Sequence, residues 1–112
     1  MRTVSASDVE AKLREWATGA VQASDVQNWA EERFAVDEWE AESGSVNTVM
    51  AHLDMLDLNL VIPDDIPMLI EALRAPDAAA VIDAHAASVN YTARMASLRG
   101  VQPYARVLKH DA

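Results

Sequence analysis

A chain of 112 residues, 51% of them hydrophobic, has the size and apolar content of a single domain spanning residues 1–112 around one core. Eighteen acids against nine bases give a net charge of −9 and a pI near 4.5, which argues against nucleic acid as a partner, because a polyanion is bound by clustered Lys and Arg. The absence of cysteine excludes disulfide staples, thiol nucleophiles and cysteine-ligated zinc, and points to a reducing cytoplasm.

The opening stretch MRTVSASDVE lacks the apolar core of a secretion signal, and no apolar run approaches the roughly 20 residues that cross a bilayer. The expectation is a cytoplasmic protein without membrane association. Apolar residues recur at helical spacing, and no strand-like alternation stands out. A first helix is expected from Ser7, whose spacing to Glu10 matches a capping box; Val9, Leu13 and Trp16 share one face, and Gly19 ends the segment. The start ASDVE (6–10) returns as ASDVQ (23–27), where Ser24 and Gln27 suggest a second box and Val26, Trp29, Ala30 and Phe34 an inward face. Two short copies are too few for a solenoid.

From Ala35 to Gly44 the helical period weakens while acids accumulate, so a loop or frayed helical end is expected. Ser45 then caps a third helix whose stripe is Val46, Val49, Met50, Leu53, Leu56 and Leu60, with His52, Asp54 and Asp57 off it. Pro63 disfavours helix at Ile62; Asp64 and Asp65 suit a helix N-terminus, and Pro67 belongs in the first turn of a fourth helix built on Ile66, Leu69, Ile70 and Leu73. Asp77 caps a fifth, alanine-rich helix expected to run to about Arg99. Its small-residue stripe of Val81, Ile82, Ala86, Val89, Ala93 and Ala96 suits the centre of the fold or a homodimer contact through Ala86, Ala93 and Ala96. Tyr104, Val107 and Leu108 leave the last residues as a docked short helix or a loose tail. The expected fold is all-α, a compact bundle of about five helices.

Charge is uneven: residues 1–83 hold 17 acids and five bases, a net −12, while residues 84–112 hold four bases and one acid, a net +3. The two parts can attract each other, or the acidic part can face a partner. The densest segment, EERFAVDEWEAE (31–42), sets six carboxylates around Phe34 and Trp39. Mutual repulsion costs stability that a basic partner would relieve while being steered to the site. Trp16 and Trp29 lie among apolar positions and read as core. Trp39, between Glu38 and Glu40, either plugs a gap between the second and third helices or presents an aromatic ringed by acids.

Catalytic motifs are absent: no G-x-S-x-G elbow, no P-loop, no dinucleotide fingerprint, and three glycines in all. His52, His85 and His110 show no zinc spacing, and His85 reads as a partly buried residue with a hydrogen-bond partner. Asp54 and Asp57, three apart, together with Glu31 and Glu32, are the one set of carboxylates suited to Mg²⁺ beside a phosphate. The glutamate run of the all-helical nucleotide pyrophosphatases breaks at Ala35. The expectation is a protein that is not an enzyme and needs no cofactor.

The run LDMLDLNLVIPDDIPMLIEAL (53–73), together with VQNWAEERF (26–34), resembles a group of small acidic helical bacterial proteins that mostly lack an assigned function. In size, acidity and helical make-up the chain is also similar to bacterial toxin-immunity proteins, small acidic modules that block a basic nuclease toxin. That resemblance implies a basic protein partner and carries over no residue. The reading is an acidic cytoplasmic interaction module that presents Glu31, Glu32, Asp37, Glu38, Trp39, Glu40 and Glu42 to a basic protein, with immunity as its specific form. The alternatives are a metal-dependent phosphohydrolase and a homodimeric scaffold.

Overall fold

The computed structural model describes residues 2–34 and 38–108. In chain order these form β1 (Arg2–Val4), α1 (Ala6–Ala17), α2 (Ala23–Phe34), β2 (Trp39–Ala41), α3 (Gly44–Asp54), a 3₁₀ turn at Pro63–Asp65, α4 (Ile66–Leu73), α5 (Ala78–Ala86), α6 (Tyr91–Leu98) and α7 (Ala105–Leu108). The fold is mostly helical and forms a compact globule. It departs from a plain five-helix bundle in two ways. Seven helices are present among the described residues, and two three-residue strands pair in parallel, with Arg2, Thr3 and Val4 opposite Trp39, Glu40 and Ala41.

Helix α3 occupies the centre, packing on α1, α2, α4 and α5. Its stripe Val46, Val49, Met50 and Leu53 is buried against Val9 and Leu13 of α1, Val26 and Ala30 of α2, and Leu69 and Leu73 of α4 in one contiguous core. At about 25 cal/mol per Å² of apolar area, this burial is what holds the helices together, since helices of 8 to 12 residues are marginal alone.

The starts of the helices differ from expectation in register. Ser5, not Ser7, caps α1: its hydroxyl accepts the Asp8 N–H at 3.1 Å and the Asp8 carboxylate accepts the Ser5 N–H at 3.0 Å. Ahead of α2 no serine caps; Asp25 accepts the Gln22 N–H instead, and Gln27 turns inward. Ser43 caps α3 through the Val46 N–H, which frees Ser45 to donate to the Ala75 carbonyl at 2.5 Å. Asp77 caps α5 and Pro67 sits in the first turn of α4, as the sequence indicates.

Two longer expectations are corrected. Helix α3 stops at Asp54, and Leu56 and Leu60 reach the core from turns, with Leu60 at φ 51°. The expected fifth helix is two helices. Asn90 caps α6 by accepting the Ala93 N–H at 3.0 Å, and the chain turns between Ala86 and Tyr91. Neither half runs through the centre: only Ala78 of α5 is buried, and no residue of α6 is. The last described segment is docked, with Tyr104 and Leu108 in the core and the Tyr104 hydroxyl donating to the Val61 carbonyl. No helix among the described residues is long and apolar enough to cross a membrane.

Candidate partner-binding surface

The acidic corner is built from the end of α2 and from β2. Residues 38–42, EWEAE, alternate in exposure: Glu38, Glu40 and Glu42 point outward, and Trp39 and Ala41 are half-buried against the core. The strand exists because this period-two pattern lets one face pack on α2 and α3 while the other stays in water. Trp39 thus neither plugs the interior fully nor stands free. The Arg2 guanidinium lies 5.4 Å and that of Arg33 5.0 Å from its ring centre, each within cation–π range. Arg33 also lies 4.7 Å from the Trp29 ring and donates to the Trp29 carbonyl at 3.1 Å. Trp29 is half-buried and not fully core as expected, and Phe34, expected inward, is 38% exposed.

Glu31 and Glu32 sit exposed on the last turns of α2. Glu32 approaches Arg33 at 3.6 Å, whereas Glu31, Glu38 and Glu40 meet no cation among the described residues. Glu42 also serves the fold itself. Its Oε2 accepts the Ala6 N–H at 2.9 Å, placing a carboxylate at the N-terminus of α1 where the helix dipole favours it. Asp37, counted in this surface from sequence, lies outside the described residues. The structure thus brings Glu31, Glu32, Glu38, Trp39, Glu40 and Glu42 to one corner, with Glu42 partly committed to the fold.

Two bases of the chain's C-terminal part, Arg94 and Arg106, go elsewhere. Arg94 donates to both oxygens of Asp65, at 2.7 and 2.8 Å, and to the Leu60 carbonyl at 3.0 Å. His85 Nε2 stands 2.7 Å from Asp65 Oδ1, which gives His85 the partner anticipated for it. Burial pushes the Asp65 carboxyl up, but the hydrogen bonds from Arg94, the Ile62 N–H and His85 outweigh it and hold the group below the usual carboxylate range. Arg106 binds Asp57 at 3.0 Å, and Gln27 Nε2 donates to the same carboxylate at 2.9 Å. The attraction between the acidic and basic parts of the chain is therefore met at Asp57 and Asp65.

Asp57, expected off the apolar stripe, is buried, and its oxygens already accept from Gln27, Arg106 and the Leu58 N–H. Asp54 touches the network through its backbone carbonyl, which accepts from Gln27 at 3.2 Å. No group of three His, Asp or Glu among the described residues is placed to hold a metal ion. The His52 ring meets the Asn59 amide at 3.2 Å, and burial lowers its pKa against the opposing pull of Asp65. His110 lies outside the described residues. The stripe Ala86, Ala93 and Ala96 is not on one helix, since Ala86 ends α5 while Ala93 and Ala96 belong to α6.

Two structural participants carried a readable signal and one did not. Gln27 stands at helical spacing from Ala23 and Ala30, and Asp57, although set off the stripe, at helical spacing from Leu53 and Leu60, the usual mark of buried polar residues. Nothing local marked Arg2, whose place over Trp39 depends on pairing between distant strands. Comparison of the chain with protein-family models, with curated proteins and with solved structures gives no match.

Proposed function

We propose that the protein is an interaction module that binds a basic protein through the corner formed by Glu31, Glu32, Glu38, Trp39 and Glu40. The observation that carries this reading is the distribution of counter-charges. Arg94 and Arg106 are committed to Asp65 and Asp57, while the exposed carboxylates of Glu31, Glu38 and Glu40 meet no cation among the described residues. A basic partner would supply what the fold withholds, and the field of the cluster would speed its approach. Trp39, half-buried and oriented by Arg2 and Arg33, and the exposed Phe34 offer the apolar contact such an interface centres on. The specific form we favour is immunity-like, in which the partner is a basic nuclease and binding silences it.

The test is capture from a native lysate of the source cells by the wild type and by a Glu38→Lys/Glu40→Lys variant, with Glu71→Lys/Asp83→Lys as a control of equal charge change on α4 and α5. The expected result is a basic protein, released by salt, lost with the first variant and retained with the control. Equal capture by all three proteins removes the corner from consideration. The immunity form further requires the captured partner to be a nuclease that regains activity when the complex is dissociated.

A further inference from the structure

Among the described residues neither edge of the two-stranded sheet pairs with a further strand. Two backbone bonds fix the phase of its ladder: the Arg2 N–H donates to the Glu38 carbonyl at 2.8 Å and the Glu42 N–H to the Val4 carbonyl at 2.9 Å. With parallel pairing, the backbone groups of Glu38, Glu40 and Glu42 face β1, and those of Trp39 and Ala41 face the other way. Among the described residues no backbone bond beyond the strand pair reaches Trp39 or Ala41. Between the sheet and helices α2 and α3 lies a dimple of about 50 Å³, lined by Val4, Ala41 and Met50 together with Arg33, Glu40 and Asn47, which has room for one small side chain. A lone pair of three-residue strands is a weak structure by itself, and an unpaired edge is a ready template for another strand.

We infer that the outer edge of β2 takes up an extended basic segment of the partner as a third strand. This rests on the proposed acidic interaction surface and adds the mode of binding. Main-chain bonds to Trp39 and Ala41 would supply affinity, one small side chain would enter the dimple, and lysines or arginines would meet Glu38 and Glu40. Charge selects the occupant. A second copy of this chain pairing through β2 would set Glu38, Glu40 and Glu42 against their own counterparts, and like charges across a strand pair are unfavourable. The other edge of the sheet, along β1, carries no acid to meet a basic segment. The acids thus exclude self-pairing and favour a basic strand at the same edge.

The experiment uses the whole protein and a ten-residue peptide alternating lysine and valine, together with the same peptide N-methylated along one edge. The methylated peptide keeps every charge and side chain but loses the backbone donors on that edge. Amide NMR titration is expected to show shifts at Trp39 and Ala41, slowed hydrogen exchange at both, and binding at least tenfold weaker for the methylated peptide. Ala41→Pro, which removes an outward N–H and leaves the bonds to β1 in place, should weaken binding comparably. Equal binding of the two peptides overturns strand addition while leaving the acidic surface intact. Binding that survives Glu38→Lys/Glu40→Lys, or no binding by either peptide at millimolar concentration, overturns both.

Discussion

Arg94 holds both carboxylate oxygens of Asp65 across 29 residues of sequence, and the acid it holds is only 3% exposed. Removing the cation leaves the buried charge with only the His85 ring and the Ile62 N–H, which costs far more than the pair contributes as a unit. Arg94→Met is therefore expected to lose about 3–5 kcal/mol of stability by denaturant unfolding. A double variant that also carries Asp65→Leu should recover a large part of that loss.

The Asp57 site yields a graded pair. Arg106 is largely exposed, so Arg106→Ala should cost under about 1 kcal/mol, as exposed ion pairs do. Asp57→Ala removes one of the two acceptors of the buried Gln27 amide and the side-chain acceptor of the Leu58 N–H, and should cost about 2 kcal/mol. Unfolding curves of the two variants, taken at one pH, check the order.

Stability should fall in mild acid through His52. Burial lowers its pKa in the folded protein, opposed by the charge of Asp65, so below the ordinary value of about 6.5 the unfolded chain takes up the proton first. The stabilisation is fully present above that value and is lost as pH falls through the folded one. Melting temperature is expected to rise from pH 5 to pH 7 in the wild type and to stay flatter in His52→Gln. Asp65, also depressed, makes its loss in a separate window below about pH 4.

Arg33 serves two tryptophan rings and a helix carbonyl, so Arg33→Ala should cost about 1 kcal/mol and change Trp emission, whereas Arg2→Ala should affect Trp39 alone. Comparing the emission of both variants with a Trp39→Phe background separates the two rings.

The leucine and valine stripes of α1, α3 and α4 were legible because burial on one face writes itself at helical spacing, and Val9, Leu13, Val49, Leu53 and Leu69 are all fully enclosed. The strand at Trp39–Ala41 was written as plainly, in the alternation of EWEAE, but its outward residues are acids and the charge obscured the period. The break between α5 and α6 was hidden by alanine, which is at home in any helix, although Ser88 and Asn90 are ordinary turn and cap residues. Cap positions slipped by two residues because SASD and SGS each offer more than one serine, and the winning hydroxyl is chosen by tertiary packing. In the corner, the acids were visible from composition. The guanidinium groups over Trp39 and the free edge of β2 exist only once residues far apart in sequence meet.

The docking of Arg94 and Arg106 onto acids that precede them makes the α6–α7 segment an electrostatic latch. Arg94 ties α6 to the turn that opens α4, and Arg106 ties α7 to the turn that follows α3, so the segment beyond α5 leaves the core only by breaking both ion pairs.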